Sequence, residues 1–409
     1  MEHIVIIGGG ASGLVAAIYA KGEKNEVTIL ERNPECGKKL LATGNGKCNY
    51  WNEDQSLIHY HSENSELIDK VINFKNQKEI INFFNKLGII PKIKHGYYYP
   101  FSNQAETVRE ALINEVKKQG VEIKTNFLVE GIKKDKNKFI INGRNEKIKA
   151  DKVIISTGSF ASPKTGSTGM GYHFLSKFGH NIIEPLPVLV QLIAQFQYLR
   201  EWKGIRTDVI LKLEENEKII AEEAGELQLT DYGISGICTF NLSSYVSRGL
   251  KNNKEEIVHI NFLPFLKEDS NILKWFDDRN KLLKNPTLNE LLNPILNYKL
   301  VKIILKISRV KGSLSWDDLF EEEQLTLVEN LINFKLEIIN TQSFDNAQSC
   351  SGGIPLTEVN LDTMESLKVK RLYISGELLD INGDCGGYNL SLAWISGMLA
   401  GTAARGEKW

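Results

Sequence analysis

Ile4-Val5-Ile6-Ile7-Gly8-Gly9-Gly10-Ala11-Ser12-Gly13-Leu14-Val15-Ala16-Ala17-Ile18-Tyr19-Ala20 opens the chain and decides its fold. The apolar run 4–7 reads as a buried strand and the small-residue run 14–20 as a helix. Between them, the spacing Gly8-x-Gly10-x-x-Gly13 has a physical meaning. Gly8 permits the tight strand-to-helix turn, Gly10 lets backbone approach a pyrophosphate, and Gly13 lets helix and strand pack closely. The pyrophosphate then rests on the helix N-terminus, against free N–H groups and the positive end of the helix dipole. Val27-Thr28-Ile29-Leu30 reads as the next strand and ends in Glu31, 18 positions beyond Gly13. A carboxylate about 20 residues on is the group that hydrogen-bonds an adenosine ribose. It would repel a 2′-phosphate, so the motif points to FAD or NAD rather than NADP.

Working outward, 409 residues exceed one ordinary domain, and two or three are expected. A net charge of -1, from 50 basic and 51 acidic residues mixed along the chain, gives no field to recruit nucleic acid or an anionic membrane. Five cysteines (Cys36, Cys48, Cys238, Cys350, Cys385) contain no CxxC pair, so neither a disulfide framework nor a thiolate zinc site is indicated. No apolar run reaches the roughly 18 residues of a membrane span, and the chain starts directly on its first strand. The expectation is a soluble, cytoplasmic protein without a metal. The close pair His59-x-His61 reads as part of a surface loop.

Along the chain the pattern is α/β, then two different segments, then α/β again. Residues 1–186 carry the glycine turn, a second glycine-rich loop Thr43-Gly44-Asn45-Gly46-Lys47-Cys48-Asn49, and amphipathic helices around Ile80 to Leu87 and Val108 to Val116. The run Val153-Ile154-Ile155 ends in Ser156-Thr157-Gly158, as strands do at the carboxyl edge of a parallel sheet. Residues 187–265 alternate with period two and predict an inserted β-barrel or sandwich. Residues 266–340 are leucine-rich and predict a helical subdomain; if Leu273, Trp275 and Phe276 are exposed there, they offer a partner surface. Residues 341–409 return to α/β, with a strand at 372–375 and a helix at 390–404.

That return places a second glycine cluster, Gly383-Asp384-Cys385-Gly386-Gly387-Tyr388-Asn389, between a strand ending in Gly376-Glu377 and the last helix. One nucleotide does not need two such loops at opposite ends of a chain, whereas FAD does. Gly386, Gly387 and the amides of Tyr388, Asn389 and Leu390 are expected near the flavin pyrimidine edge, where a helix N-terminus stabilises negative charge on the reduced ring.

The motifs just quoted occur in one order, together with Tyr99-Pro100, Gly166-Ser167-Thr168-Gly169, Gly225-Glu226-Leu227, Tyr232-Gly233-Ile234-Ser235-Gly236, Ser351-Gly352-Gly353 and Gly376-Glu377-x-x-Asp380. In this the chain resembles the bacterial HI0933-like, or BaiN-like, flavoprotein family of NAD(P)/FAD-dependent oxidoreductases. The resemblance implies a Rossmann-like three-layer FAD domain built from both chain ends, with the barrel and helical arm inserted. By family position, Ala11, Ser12, Glu31, Arg32, Lys39, Gly44, Asn45, Gly46, Cys48, Asn49, Val129, Thr157, Gly158, Gly376, Glu377, Asp380, Gly387, Tyr388, Asn389 and Leu390 should contact FAD beside Gly8, Gly10 and Gly13. Lys47 stands where the family has arginine, and Met170 where it has an acid. Members include amine oxidases and reductases of conjugated double bonds, so the substrate does not carry over.

Flavin chemistry is hydride or electron transfer, with the protein positioning a small molecule and excluding water. Tyr388 is the first candidate proton donor and Tyr99 the second. Cys48 has no paired cysteine nearby, which argues against disulfide reduction. Glu226 and Asp231 read as solvated turn acids. No second glycine-turn-plus-acid unit is present, so NAD(P)H, if used, visits the flavin as a transient co-substrate. An FAD-dependent RNA-modifying protein and an FAD-holding module without turnover are the alternatives. The oligomeric state is left open.

Overall fold

The computed structural model describes residues 1–266 and 271–409, so residues 267–270, at the head of the expected helical segment, lie outside the described residues. The chain divides into two units, one of residues 1–187 with 347–409 and one of residues 188–346.

The first unit is built on β1 (Glu2–Ile7), α1 (Ala11–Ala20) and β2 (Asn25–Leu30). Strand β1 lies parallel between β2 and the strand Lys152–Ile155, and its inner residues Ile4, Val5 and Ile6 are fully buried. Burial on both faces explains the unbroken apolar runs, which an alternating strand would not show. Among the described residues the sheet is seven-stranded, in the order 359–360, 365–366, 372–374, 152–155, 2–7, 25–30, 122–124. The pairings from 372–374 through 122–124 are parallel, so their carboxyl ends share one edge. The apolar positions at 80–84 and 108–116 fall on Phe74–Lys86 and Ala105–Lys118, two amphipathic helices.

The last helix, Tyr388–Arg405, lies against α1. Its small residues have a steric cause. A Cβ added to Gly397 would stand 2.5 Å from the Ser12 carbonyl oxygen, and one on Gly401 2.4 Å from that of Ala16. The two helix backbones therefore touch where any larger residue would push them apart. No helix among the described residues is long and apolar enough to cross a membrane.

The second unit is a closed six-stranded barrel, in the order 192–195, 233–235, 218–229, 206–215, 256–261, 334–341. The sequence pattern alone ends the barrel or sandwich at 265 and begins a separate helical subdomain at 266. Instead Phe334–Thr341 follows the helices and closes the barrel, pairing antiparallel with both Glu256–Asn261 and Leu192–Gln195. The helices also have no core of their own. Phe276, Leu291, Ile304, Trp316 and Leu331 share one buried cluster with barrel residues Leu211, Leu227, Val258 and Leu336. Phe276 is fully buried and stacks on Trp316 at 4.9 Å, so it is not part of an exposed surface, while Leu273 and Trp275 are only partly exposed. Among the described residues the exposed large apolar side chains of this segment are Leu282, Leu283, Tyr298, Phe320, Leu325 and Ile339.

Within the barrel, Glu256 is 1% exposed and neither carboxyl oxygen has a partner. It sits opposite Glu215 in the strand register, and Gly249 leaves the room it occupies. Burial first, then the neighbouring Glu215 carboxylate, pushes its pKa up to about 8 against the pull of Lys254. The unfolded chain ionises this group near pH 4.5, so folding takes up a proton between about pH 5 and 8 and stability declines as pH rises through that window. Glu256→Gln is expected to stabilise the protein by about 1–3 kcal/mol near neutral pH, with the gain vanishing towards pH 5. Thermal unfolding at several pH values checks this; a gain of the same size at every pH would contradict it.

Candidate active site

The parallel strand ends gather the glycine turns. Gly8 has φ +104, and a Cβ there would stand 2.4 Å from the Ser156 carbonyl oxygen of the adjacent strand end. A Cβ on Gly13 would stand 1.9 Å from the Gly8 oxygen, the close helix-to-strand contact expected of that position. Gly10 differs: its backbone is extended (φ -79, ψ -166), and a Cβ there would meet nothing within 4 Å. No side chain caps α1 and no acid lies in its first turn. The start of α1 therefore presents unpaired N–H groups beside open space.

Glu31 is buried at the end of β2. Its Oε2 accepts the Gly9 N–H at 2.8 Å, and its Oε1 accepts the Asn33 N–H and amide, each at 2.8 Å. The carboxylate thus ties the glycine turn to the following loop. Arg32 is turned away, donating to Thr168 Oγ1 at 2.9 Å in an exposed pair. Val129 is buried near this end, where the Phe127 N–H donates to the Glu31 carbonyl.

Gly376 and Glu377 approach from the third strand end. A Cβ on Gly376 would lie 2.6 Å from Ser12 Oγ at the start of α1. Lys39 Nζ donates to Glu377 Oε2 at 2.6 Å, an ion pair across 338 positions. Ser159 and Ser349 hydroxyls complete the Glu377 shell. A Cβ on Gly158, with φ +72, would meet Ser167 Oγ at 2.5 Å and Glu377 Oε2 at 3.9 Å, and Thr157 stands against Gly171. Asp380 is fully buried: its Oδ2 accepts from Ser62 and the Glu63 N–H, while Oδ1 has no partner within the chain.

The loop 43–49 adopts left-handed backbone at Gly44, Asn45, Gly46 and Cys48, with Gly44 to Lys47 exposed. Cys48 is fully buried, and burial pushes its thiol up to about 12, so it stays protonated and inert. All five cysteines are free. A Cβ on Gly44 would lie 3.7 Å from the Tyr99 ring, and one on Gly387 3.3 Å from Asn49 Oδ1, itself buried without a partner. The loop thus joins Tyr99 to the turn before the last helix. That helix, like α1, has no side-chain cap and no acid in its first turn. Asn389 braces the turn, accepting the Gly383 N–H and donating to the Gly383 carbonyl; Leu390 follows in the same helical turn.

The two tyrosines differ in surroundings. Tyr388 is buried, its hydroxyl accepts from Asn52 Nδ2 at 3.0 Å, and its ring stacks on His59. Tyr99 is only half-buried. Burial raises the pKa of both, so both hold their protons near neutral pH. Glu226 and Asp231 are exposed and pair with Arg206 and Lys203; Asp231 is a solvated bend acid as expected, whereas Glu226 lies in the strand Lys218–Leu229 rather than in a turn.

The sequence reading missed Asn52, His59, His61 and Asp384. The histidines do not lie free on a surface loop. His59 bridges Asp54 and Asp384, and His61 reaches the other oxygen of Asp384. Asp54 is 5 positions from His59, but Asp384 lies 325 and 323 positions from the two histidines, and only its place in the second glycine cluster hinted at the site.

The family model of the HI0933-like protein Rossmann domain matches residues 2–403. The chain is 40% identical to a 3-dehydro-bile acid delta(4,6)-reductase of Clostridium scindens over 99% of both sequences. It is 26% identical to a ribosomal RNA dihydrouridine synthase of Escherichia coli, covering 96% of this chain and 95% of that one. Among solved structures, a 3-ketosteroid-delta4-(5alpha)-dehydrogenase of Rhodococcus jostii shares the fold, with TM-score 0.51 at 13% identity over 99% of this chain and 97% of the other. Glycine turn, buried acid, C-terminal turn and end-to-end match agree: the chain belongs to the HI0933-like family.

Proposed function

We propose that this protein is an FAD-dependent oxidoreductase that reduces a carbon–carbon double bond conjugated to a carbonyl in a small organic molecule, with NAD(P)H as the source of hydride. The observation that carries the reading is the pair of uncapped helix N-termini, one beside the open space at Gly10 and one beside Asn49, together with the buried, unpartnered acceptors Asn49 Oδ1 and Asp380 Oδ1. The residues fit FAD. Free N–H groups of Ala11, Ser12 and Gly13 suit a pyrophosphate, Glu31 an adenosine ribose, and Asp380 Oδ1 and Asn49 Oδ1 are acceptors with no partner inside the chain. When bound, FAD would supply hydride transfer.

This chain's residues then orient and protonate. Reducing a conjugated double bond adds hydride at the carbon remote from the carbonyl and a proton at the carbon beside it; NAD(P)H leaves as NAD(P)+. The N-terminus of the last helix would stabilise negative charge at the cofactor edge. Tyr99 is the better proton donor of the two tyrosines, because it is half-buried and open to a substrate, whereas Tyr388 is buried with its ring packed against His59 and Tyr60. The 40% identical bile-acid reductase supports a polycyclic enone as substrate.

The RNA reading has one observation in its favour, the 26% identical dihydrouridine synthase, and uridine too carries a double bond conjugated to a carbonyl. The balanced charge of the chain weighs against it. Purified protein is expected to be yellow and to bleach on anaerobic addition of NADH or NADPH. The colour should return on adding a polycyclic enone. Colour restored by ribosomal RNA and not by enones would favour RNA; failure of both nucleotides to bleach a yellow protein, with peroxide formed from an amine, would make it an oxidase.

A further inference from the structure

The segment 57–63 carries no motif, yet it is fastened to the loop that precedes the last helix. Tyr60–His61 runs antiparallel to Asn382–Gly383, and the Asp384 N–H donates to the His59 carbonyl at 2.9 Å. Side chains add to this. His59 Nδ1 meets Asp384 Oδ2 at 3.0 Å, His59 Nε2 meets Asp54 Oδ2 at 3.0 Å, and His61 Nε2 meets Asp384 Oδ1 at 2.9 Å. The His59 ring lies on that of Tyr388 with centroids 4.5 Å apart and planes inclined by 18°, while Tyr60 meets Tyr388 edge-on. On the far side of the turn, Asn52 Nδ2 donates to the Gly386 carbonyl at 3.1 Å.

We propose that His59 is a positioning residue for the reaction: held between Asp54 and Asp384 and stacked on Tyr388, it fixes the 383–387 turn and so aims the N-terminus of the last helix. The chemistry follows from the partners. A carboxylate accepts only from an N–H, so facing two of them requires hydrogen on both ring nitrogens, which is the imidazolium. Burial opposes that charge, but the hydrogen bonds to Asp54 and Asp384 outweigh it and raise the His59 pKa. The other titratable groups around the ring are His61, Tyr60 and Tyr388, and burial keeps both tyrosines neutral. As pH climbs through the raised pKa, one N–H is lost and one carboxylate faces a lone pair. The clamp is complete at low pH and loses one of its two hydrogen bonds at high pH.

This inference rests on the FAD reading, and its test separates the two. FAD titration by flavin fluorescence and hydrogen exchange of amides 383–390 in the ligand-free protein are measured at about pH 6 and about pH 9. The wild-type protein should lose FAD affinity roughly tenfold across that range, the worth of one charge-assisted hydrogen bond. His59→Ala should show the weakened affinity at both pH values, with faster exchange confined to 383–390. If His59→Ala does not fold, His59→Gln, which keeps one donor, should bind with intermediate affinity and no pH dependence. A variant that matches the wild type in affinity, pH profile and exchange overturns the inference. If the wild type itself binds no FAD, the cofactor reading falls, while the exchange data still decide whether His59 holds the turn.

Discussion

Gly10→Ala is expected to fold and melt like the parent protein and to lose FAD affinity by about 100-fold or more, near 2.7 kcal/mol of binding free energy. The asymmetry comes from what surrounds the three glycines. Gly10 has an extended backbone that alanine adopts without strain, and its added methyl meets no protein atom within 4 Å. The stability of the ligand-free chain therefore has no reason to change. The methyl instead enters the space in front of the unpaired N–H groups of α1, where a pyrophosphate has to approach within hydrogen-bond distance. Gly13→Ala makes the contrast, since its methyl would stand 1.9 Å from the Gly8 oxygen and the fold itself would suffer. Calorimetric titration with FAD beside thermal unfolding of the ligand-free variants reads both effects. A Gly10→Ala protein that keeps its FAD would show that the space beside α1 serves something else.

Tyr99→Phe should reduce turnover of an enone by about 100-fold, the lower end of what a positioned proton donor contributes, while the rate at which NAD(P)H bleaches the protein stays unchanged. Tyr99 sits half-buried against the exposed loop 44–47, and its raised pKa keeps the hydroxyl protonated over the working pH range. Tyr388→Phe removes the acceptor of the Asn52 hydrogen bond and should loosen the C-terminal turn, weakening FAD more than it slows proton transfer. Stopped-flow measurement of the two half-reactions separates the outcomes. Loss of turnover in Tyr388→Phe with Tyr99→Phe unaffected would reverse the assignment.

Much of the first unit was legible because its signals are local. Gly8, Gly10 and Gly13 sit within one turn, and the apolar runs at 4–7 and 153–155 announce strands buried on both faces. The barrel boundary was not legible in the same way. Phe334, Leu336 and Ile338 do alternate with exposed residues, but a strand that closes a barrel pairs with partners far back in the chain, and eight residues after a helix-rich stretch carry too little pattern to show it. The His59 cluster was hidden more deeply. His59 takes Asp54 from its own loop, but its second partner, Asp384, is met only once the two ends of the first unit come together.

The contact between α1 and the last helix also bears on how the protein is made. The face of α1 at Ser12 and Ala16 is covered by Gly397 and Gly401, which a ribosome adds 385 residues later. Until then the N-terminal helix lacks its neighbour, and the turn that ends in Gly387 does not yet exist. The unit at 188–346, being continuous, has its whole core available midway through synthesis. The order of assembly is thus inside-out along the chain: the inserted unit can fold while synthesis continues, and α1 gains its neighbour only after residues 388–405 are made, so a chain truncated before residue 388 would hold a folded barrel and a first unit whose N-terminal helix is uncovered.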